Sequence, residues 1–446
     1  MYHNLKDVLP VTASVNAMDH LEIGGLDTTE LAEEFGTPLF VFCEKTFRTR
    51  AAEIKNAFPD ANIYYAAKAF LTLGFCSLIE SEGLGLDVAS GGELHTALTA
   101  GFPPGRMILH GNNKLDSDIE RAIEAGIGRI AIDGLEEVER VADIARELSK
   151  TQPVVLRVTP GVEAHTHEYI ETGQEDSKFG LSIEGGLAEE ALVSAMKRDS
   201  LEVRGIHSHI GSNIFSYDPF GKTIEILFQF LADMKAATGS GLPEVNLGGG
   251  FGIPHVAGDY PARMEVLSRL ITEVAGREAQ RHGIDMPALS FEPGRYLVGN
   301  SMVTLYRVGT IKQIPGVRTY ISVDGGMSDN IRPALYQAHY TALVANKAGT
   351  PPRRAFTLAG MHCESGDILA KDVGLPDTVE RGDIIAVPAT GAYNYSMASN
   401  YNRQPRPAVV AVVDGRATLM VRRETHDDLI RLDIRPQEGF SASNPG

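Results

Sequence analysis

Cysteine is scarce in this chain of 446 residues, which contains only Cys43, Cys76 and Cys363. Because an odd and sparse set of thiols does not form the disulfide framework of a secreted protein, we expect a reducing, cytoplasmic location. The first residues, MYHNLKDVLP, lack the basic stretch and following apolar stretch of a secretory signal. The sequence also lacks an apolar run of about eighteen residues, the length that spans a bilayer. We therefore expect no membrane partner.

Positive charge is also in deficit. Lysine and arginine together number 41, against 58 aspartate and glutamate residues, and the formal net charge is -17. A protein that binds nucleic acid needs a basic surface to displace counterions from phosphates. The charge balance therefore predicts no nucleic-acid partner and no adhesion to an anionic membrane surface. Glycine, in contrast, is abundant, with 46 residues. The positions of these glycines along the chain say more about the site than their number does.

Short apolar runs alternate with amphipathic helical stretches between about residues 60 and 300. The eight runs are ANIYYAAKA, LGLDVAS, RMILHGN, RIAID, VVLRVTP, VRGIHSHIG, VNLGGGFG and LSFEPGR. Strands that alternate with helices predict an α/β fold with a parallel sheet. Eight such units favour a (β/α)8 barrel of the TIM type over an open sheet.

The pattern changes after about residue 300, where apolar runs follow one another without intervening helices. These runs are VTLYRVGTIKQI, RTYISVDGG, DIIAVPATGAY, AVVAVVDG and RATLMVRRE. They predict a mostly antiparallel β domain, a β-barrel or a sandwich. The run PLFVFCE, from Pro38, is a ninth strand candidate that exceeds the eight of a barrel. We therefore expect residues 44–298 to form the barrel, and residues 1–43 and 299–446 to form the β domain.

Polar and glycine-rich motifs fall at the carboxyl ends of the predicted barrel strands, where such barrels place their active groups. These residues are Lys68, Asp87, Arg157, His209, Gly248 to Gly250, Glu292 and Arg295. A desolvated Lys68 with a lowered pKa would be able to form a Schiff base, although a lysine at a strand end more often extends to solvent. The loop LGGGFGIP and the turn EPGR match the phosphate site that barrels build after strands seven and eight.

These motifs together describe a site for pyridoxal phosphate. A Schiff-base lysine lies on the first strand, a flat histidine that can stack on a ring lies on the sixth, and the phosphate loops follow. Glu292 would then face the pyridine nitrogen of the cofactor. A carboxylate at that place keeps the nitrogen protonated, so that the ring accepts the electron pair released at Cα.

A metal-dependent amidohydrolase is an alternative on these residues. His207 and His209 in HSHIG share one face of a strand, a spacing that can bind a metal. A second pair of the same spacing is His165 and His167. Because no acidic or histidine cluster at the other strand ends completes such a site, we expect no metal.

The sequence resembles the diaminopimelate decarboxylases, pyridoxal-phosphate enzymes with the alanine-racemase-like barrel fold. The resemblance extends nearly from end to end, through YYAAKA, GLDVASGGEL, HSHIGSNI, LGGGFGI, EPGR, DGGMSDNIRPALY, HCESGDIL and GAYNYSMASNYN. CESGD and RPALY favour this decarboxylase within its group, whereas Asn213 departs from the glutamine expected there. The resemblance implies a carboxy-lyase that converts meso-2,6-diaminopimelate to L-lysine and carbon dioxide, the last step of lysine biosynthesis.

The same resemblance implies roles for individual residues. Lys68 and Cys363 would be catalytic, the first as the lysine that binds the cofactor and the second as a proton donor. The implied cofactor-binding residues are Lys68, Asp87, His209, Ser212, Gly250, Glu292, Gly294, Arg295 and Tyr393. The implied substrate-binding residues are Arg295, Arg332, Tyr336, Glu364 and Tyr393. Asp87 and Arg157 would form a supporting pair behind Lys68.

The resemblance also implies a partner. Cys363 and Glu364 belong to the predicted β domain, and family precedent puts them in the site of a second subunit. A head-to-tail homodimer with shared active sites is therefore expected. The expected small-molecule partner is an amino-acid substrate.

Other enzymes of the same fold are alternatives, namely ornithine, lysine or carboxynorspermidine decarboxylases and amino-acid racemases. A racemase of this fold usually has arginine at the pyridine nitrogen, so Glu292 argues against it. A polyamine-type decarboxylase has no distal carboxylate to bind and would not need Arg332 and Tyr336. A non-catalytic cofactor carrier would not need the lysine, acid, arginine and cysteine positions together.

Overall fold

The computed structural model describes residues 2–162 and 178–435 of the chain. Its N-terminal segment forms a small antiparallel sheet, followed by one helix and one buried strand. These elements are β1 (Ser14–Val15), β2 (Leu21–Ile23), β3 (Leu26–Asp27), α1 (Thr28–Phe35) and β4 (Leu39–Cys43). Asp27 caps α1, since its side chain accepts a hydrogen bond of 2.8 Å from the backbone N–H of Thr29.

Eight parallel strands close into a barrel, which confirms the fold predicted from the alternating pattern. The strands, in their order around the barrel, are β5 (Asn62–Ala66), β6 (Gly85–Val88), β7 (Met107–Leu109), β8 (Arg129–Ile132), β9 (Gln152–Thr159), β11 (Leu201–His207), β12 (Glu244–Asn246) and β13 (Ala288–Phe291). A short additional strand, β10 (Leu181–Ser182), extends the sheet beside β9.

The barrel helices lie outside the strands, and each helix buries one of its own faces. They are α2 (Glu44–Ala57), α3 (Leu73–Ser81), α4 (Gly91–Thr99), α5 (Asp116–Ala125), α6 (Leu135–Glu147), α7 (Leu187–Met196), α8 (Asp218–Thr238) and α9 (Met264–His282). In α6 the buried residues include Val138, Val141, Ala142 and Ala145, the spacing of one helical face. Among the described residues, no helix is both long enough and apolar enough to cross a membrane.

The interior of the barrel is apolar at its middle and polar at its carboxyl end. Ile108, Ala131 and Val155 form a separate buried cluster with Tyr64 packed against it. Because side chains alternate along a strand, residues two positions further on face the same side. Along β7, β8 and β9 those residues are His110, Asp133 and Arg157. The alternation of side chains thus places apolar residues in the middle of the barrel and polar residues on the same side at the carboxyl ends of these strands.

The rest of the chain forms the mostly antiparallel sheet that the sequence predicts. After the short helix α10 (Arg295–Val298), its elements are β14 (Met302–Ile314), β15 (Arg318–Val323), α11 (Arg332–Tyr336), β16 (Leu343–Val344), β17 (Arg354–Ala359), β18 (Ile368–Leu375), β19 (Ile384–Val387), β20 (Ala408–Val413), β21 (Arg416–Val421) and α12 (His426–Ile430). Within the described residues, the parallel pairings of this sheet are β15 with β17 and β20 with β4.

The N-terminal strand β4 joins this sheet and not the barrel, as expected for the run from Pro38. It pairs antiparallel with β14 and parallel with β20, and every residue from Leu39 to Cys43 is buried. Phe42 of β4 contacts Phe75 of α3 edge-on, with ring centroids 5.4 Å apart. Since this contact lies within the core cluster of the barrel, the sheet and the barrel share packed side chains.

Asn300 fastens the N-terminal segment to a barrel loop. Its side-chain amide donates to the backbone carbonyl of Val8 at 2.9 Å and to that of Pro254 at 3.0 Å. We expect Asn300→Ala to lower the free energy of unfolding by about 2 kcal/mol or more, because two buried carbonyls lose a donor. Urea denaturation followed by circular dichroism measures the change. The control is Asn56→Ala on the exposed surface of α2, and equal stability of the two variants would contradict the expectation.

Candidate active site

A cavity of about 440 Å³ opens at the carboxyl ends of the barrel strands. It is lined by most of the residues that the sequence singles out for cofactor and substrate: Lys68, Asp87, Arg157, His209, Ser212, Gly250, Glu292, Gly294, Arg295, Arg332, Tyr336 and Tyr393. Other lining residues, His110, His207 and Phe179, were not assigned to the cofactor site from the sequence. The β domain contributes Arg332, Tyr336 and Tyr393, so the cavity belongs to both parts of the chain.

Lys68 lies in a 3₁₀ turn, Ala67–Ala69, directly after β5. Its side chain is accessible from the cavity. Burial by the surrounding groups lowers the pKa of the amine, but attraction from Tyr393, Asp87 and Glu292 outweighs burial and the pKa is raised. The expectation of a pKa lowered by desolvation is therefore wrong for this arrangement, since nearby negative charge favours the ammonium form.

Glu292 follows β13 and is almost fully buried. One carboxylate oxygen accepts hydrogen bonds from His110 Nε2 at 2.9 Å and from Asn246 Nδ2 at 2.7 Å, and the other accepts from His207 Nε2 at 2.9 Å. Sequence reasoning missed His110 and Asn246. Asn246 ends β12 and His110 directly follows β7. Both occupy inward-facing positions at the carboxyl end of a strand, and the sequence could have revealed them by that position.

His209 follows β11 and reaches the glycine loop. Its Nδ1 accepts a hydrogen bond of 3.3 Å from the backbone N–H of Gly249. Burial, together with repulsion from Lys68 and Arg157, holds the pKa of His209 well below its usual value. The ring is therefore a neutral, flat imidazole, which suits stacking on an aromatic cofactor.

Asn213 joins the loop after β11 to the glycine loop by a hydrogen bond. Its side-chain oxygen accepts a hydrogen bond of 3.2 Å from the backbone N–H of Ile253, and its φ of 61° is left-handed. Asparagine tolerates that conformation better than most residues do. The departure from the expected glutamine therefore has a local structural role in joining the loop after β11 to the glycine loop.

Two glycines leave backbone uncovered beside the cavity. Gly250 has a φ of 95°, and a Cβ there would lie 2.6 Å from the carbonyl oxygen of Gly211. A Cβ on Gly294 would lie 3.1 Å from the Cβ of Ala66. A side chain at either position would clash with the chain itself, so glycine allows these loops to approach one another closely. Bare backbone N–H groups at the edge of a cavity suit a phosphate. Together with the Lys68 amine and the Glu292 carboxylate, these positions fit pyridoxal phosphate.

Arg295 and Arg332 form a cationic end of the cavity. The Arg295 guanidinium lies 4.8 Å from the Tyr393 ring centroid, and that of Arg332 lies 5.2 Å from the Tyr336 ring centroid and 5.6 Å from that of Tyr393. Burial and the neighbouring Arg332 lower the pKa of Arg295 to about 10. Arg295 also has a buried Nε without a partner. Such a pair is suited to bind a carboxylate in bidentate fashion.

His255 lies behind this cationic end and was also missed from the sequence. Burial, with repulsion from Arg295 and Arg332, lowers the pKa of His255 to about 3. The imidazole is therefore neutral at physiological pH. It adds no charge to the cationic end, whose two arginines stay available for an anionic ligand.

Tyr393 is brought to the cavity by a loop of the β domain. Its backbone N–H donates to the carbonyl of Ala69 at 2.8 Å, and Ser396 Oγ donates to the same carbonyl at 3.0 Å. The loop is thus fixed beside the turn that carries Lys68. Tyr395 differs, since its ring packs edge-on against Phe40, so it fills the core and does not line the cavity.

The supporting pair predicted for Arg157 is different in the structure. Arg157 Nη1 lies 3.5 Å from Asp133 Oδ1, whereas the ionic neighbour of Asp87 is His110 at 4.0 Å. The pair of Asp87 with Arg157 came from the family resemblance, whereas Asp133, directly after β8, is the acidic group nearest to Arg157 among the described residues. Burial raises the pKa of Asp87 although His110 opposes it. Arg157 also covers the Phe179 ring, 4.5 Å from its centroid.

Cys363 and Glu364 do not line the cavity of this chain. Both are exposed, on a turn whose ends are fastened by Asp367. The buried Asp367 carboxylate accepts from the backbone N–H groups of His362 at 2.8 Å and Met327 at 2.6 Å. The turn is therefore held in place, with its thiol and carboxylate exposed and outside the lining of the chain's own cavity.

His207 and His209, the pair considered as metal ligands, have different partners. His207 donates to Glu292, and His209 turns to the glycine loop. The ligand atoms of His110, His207 and Glu292 lie within 4.8 Å of one another, and each histidine lies 2.9 Å from a Glu292 oxygen, a hydrogen-bond distance. His165 and His167 lie outside the described residues.

A barrel with an amine, a buried carboxylate and glycine loops at this place defines a pyridoxal-phosphate-dependent enzyme. The sequence profile of the pyridoxal binding domain of pyridoxal-dependent decarboxylases matches residues 44–299. A diaminopimelate decarboxylase of Halalkalibacterium halodurans is 48% identical over 95% of this chain and 97% of its own length. One of Mycobacterium tuberculosis is 45% identical over 98% and 99%.

The solved structures agree with these relatives. A diaminopimelate decarboxylase from M. jannaschii in co-complex with L-lysine superimposes with a TM-score of 0.89 at 34% identity, covering 95% of this chain and 98% of that one. The chain belongs to the diaminopimelate decarboxylase family. Its cofactor is pyridoxal phosphate, as the motifs predict.

The lysine assignment is tested by the colour of the purified protein. We expect a visible absorption band from cofactor bound covalently to Lys68, and we expect the band to vanish in Lys68→Ala because no other amine replaces it. Lys197→Ala, on the exposed end of α7, is the control and should keep the band. A colourless wild-type protein that takes up no added cofactor would contradict the assignment.

Proposed function

We propose that this enzyme decarboxylates meso-2,6-diaminopimelate at one carbon centre, giving L-lysine and carbon dioxide. The observation that carries the proposal is that Lys68, Glu292 and the Arg295–Arg332 pair line one cavity. A substrate whose distal end is itself an amino acid needs such a pair for its second carboxylate. Relatives named for this activity, at up to 48% identity, support the same substrate.

The chemistry that pyridoxal phosphate supplies when bound is a sink for the electron pair left at Cα when carbon dioxide departs. We propose that Lys68, Asp87, His209 and Tyr393 hold the cofactor ring and its surroundings. Ser212, Gly250, Gly294 and Arg295 are proposed at the phosphate. Ser212 Oγ lies 3.2 Å from Arg295 Nη2, so these two residues already meet beside the glycine loop.

Glu292 is proposed to face the pyridine nitrogen and Lys68 to exchange the cofactor for the substrate amine. Arg295, Arg332, Tyr336 and Tyr393 are proposed to orient the distal end of the substrate. Orientation at a distance fixes which of the two carboxylates lies at the reacting carbon. Analogues without the distal carboxylate leave two buried guanidinium groups unpaired, and this cost is the source of selectivity.

The remaining groups are proposed to come from a second chain. Cys363 of the partner subunit would give a proton to Cα after carbon dioxide leaves, and Glu364 of the partner subunit would contact the distal amine. The exposure of the 361–366 turn, with its fastened ends, supports this trans arrangement, and a head-to-tail dimer would supply it.

The organisation of the chain follows from the same proposal. We propose that residues 44–298 form the cofactor domain and that residues 1–43 and 299–446 form the domain that completes the site. The start of α2 at Glu44 and the pairing of β4 with β14 support these limits. The two buried, unpaired thiols of Cys43 and Cys76 support a reducing, cytoplasmic location.

Substrate choice is tested by carbon dioxide release from meso-diaminopimelate, lysine, ornithine and arginine. We expect diaminopimelate to react with the highest kcat/KM. In Arg332→Met its kcat/KM should fall about 10- to 100-fold, because a hydrogen bond to a charged group is lost, while the slow reaction of lysine should not fall. Arg281→Met, at the exposed end of α9, is the control. Faster reaction of lysine or ornithine than of diaminopimelate would overturn the substrate proposal.

Shared active sites are tested by mixing two inactive variants, Lys68→Ala and Cys363→Ala. A hybrid dimer has one site with both changes and one with neither, so random exchange should restore about a quarter of wild-type activity. Decarboxylation after mixing is the measurement, and a tagged chain confirms that subunits have exchanged. No recovery after confirmed exchange would refute the trans arrangement.

A further inference from the structure

The carboxylate of Glu292 is held by donors from three other barrel strands. His110 follows β7, His207 ends β11 and Asn246 ends β12. Their contacts to Glu292 measure 2.9, 2.9 and 2.7 Å, and all four side chains are at least nine-tenths buried. A buried carboxylate with three side-chain donors is well satisfied as an anion.

The three donors leave one acceptor position of the Glu292 carboxylate open. A carboxylate has about four lone-pair positions. Oε1 accepts from both His110 and Asn246, whereas Oε2 accepts from His207 alone. One position on Oε2 is therefore left, and Glu292 lines the cavity in which the cofactor is proposed to bind.

The donors favour the ionised form of this group. Burial raises the pKa of Glu292, but the charge and hydrogen bond of His110 and the hydrogen bond of His207 outweigh burial and hold the pKa well below its usual value. Burial lowers the pKa of His110, yet Glu292 and Asp87 raise it overall, while the pKa of His207 is lowered to about 4. His207 is therefore a neutral donor through Nε2, consistent with a buried Nδ1 that has no partner.

We propose that His110, His207 and Asn246 are positioning residues that hold Glu292 as a carboxylate with one acceptor position open, so that the proton shared with the cofactor stays on the pyridine nitrogen. The inference rests on the proposed function, because Glu292 must face that nitrogen. A buried glutamate without these donors would favour its neutral form. It would then take the proton from the ring, and the ring would become a weaker electron sink.

Asn246 has a second task, which decides the choice of variants. Its side-chain oxygen accepts a hydrogen bond of 2.9 Å from the backbone N–H of Gly248. A change at Asn246 would therefore also disturb the glycine loop. The two histidines are better probes, and glutamine is the matched replacement because its Nε2 can donate where the imidazole Nε2 does.

The first experiment measures the proton and not the rate. Holoenzyme is assembled with cofactor labelled with nitrogen-15 in the ring, and the ring-nitrogen resonance reports whether the nitrogen is protonated. We expect a protonated nitrogen in wild type, a shift toward the unprotonated form in His110→Leu, and recovery in His110→Gln. His207→Leu and His207→Gln repeat the comparison if His110→Leu does not fold, and His95→Leu, exposed on α4, is the control.

Kinetics give a second reading of the same variants. We expect kcat of His110→Leu to fall about 10- to 100-fold, the effect of one lost hydrogen bond to a charged group, with KM changed about twofold or less. A ring nitrogen that stays protonated in the leucine variants would overturn the proposal. A resonance that changes when the holoenzyme is treated with a chelator would overturn it in favour of a metal at these residues.

A cofactor analogue with C–H in place of the ring nitrogen separates this role from others. With the analogue, wild type and His110→Leu should differ by about twofold or less, because there is no ring proton left to hold. If His110→Leu loses the same factor with the analogue as with the natural cofactor, the residue acts elsewhere and the proposal fails. The resonance is recorded without substrate, so a wrong substrate assignment leaves this test intact.

Discussion

The alternation of side chains along parallel strands is the constraint on which the active site depends. A strand whose middle residue faces the barrel interior must present the residue two positions later to the same space. Ile108 packs inside, so His110 reaches the cavity, and Val155 places Arg157 in the same way. The apolar interior of the barrel and the polar lining of the cavity therefore depend on the same alternation of side chains. A register shift of one residue would turn both sets of side chains to the opposite face.

The β domain completes what the barrel begins. The barrel supplies Lys68 and Glu292 to the cavity, whereas Arg332 and Tyr393 reach it from the β domain. The loop that carries Tyr393 is fixed to the carbonyl of Ala69, in the lysine turn, by the Tyr393 backbone N–H and by Ser396 Oγ. The lining of the cavity therefore depends on the contact between the two parts of the chain, and the buried strand β4 and its aromatic contact to α3 stabilise that contact.

Much of the site could be predicted from the sequence, because strand ends, glycine loops and family motifs are local features. Lys68, Glu292 and Gly250 all line the predicted cavity. The pairing of Arg157 with Asp133 and the donors around Glu292 could not be predicted in the same way. They join residues on different strands, and their separation depends on how the barrel closes. The direction of the Lys68 pKa was missed for the same reason, since it depends on charges from other strands.

The sequence by itself determined the class of fold, the cofactor and most of the residues singled out that line the cavity, because periodicity and motifs are local properties of the chain. The tertiary structure alone decided which groups contact one another around Glu292 and Arg157. It also decided that Cys363 lies on an exposed turn away from the chain's own cavity. The physical reason is that hydrogen bonds and charges act over a few ångströms, and only closure of the barrel and docking of the sheet fix those distances.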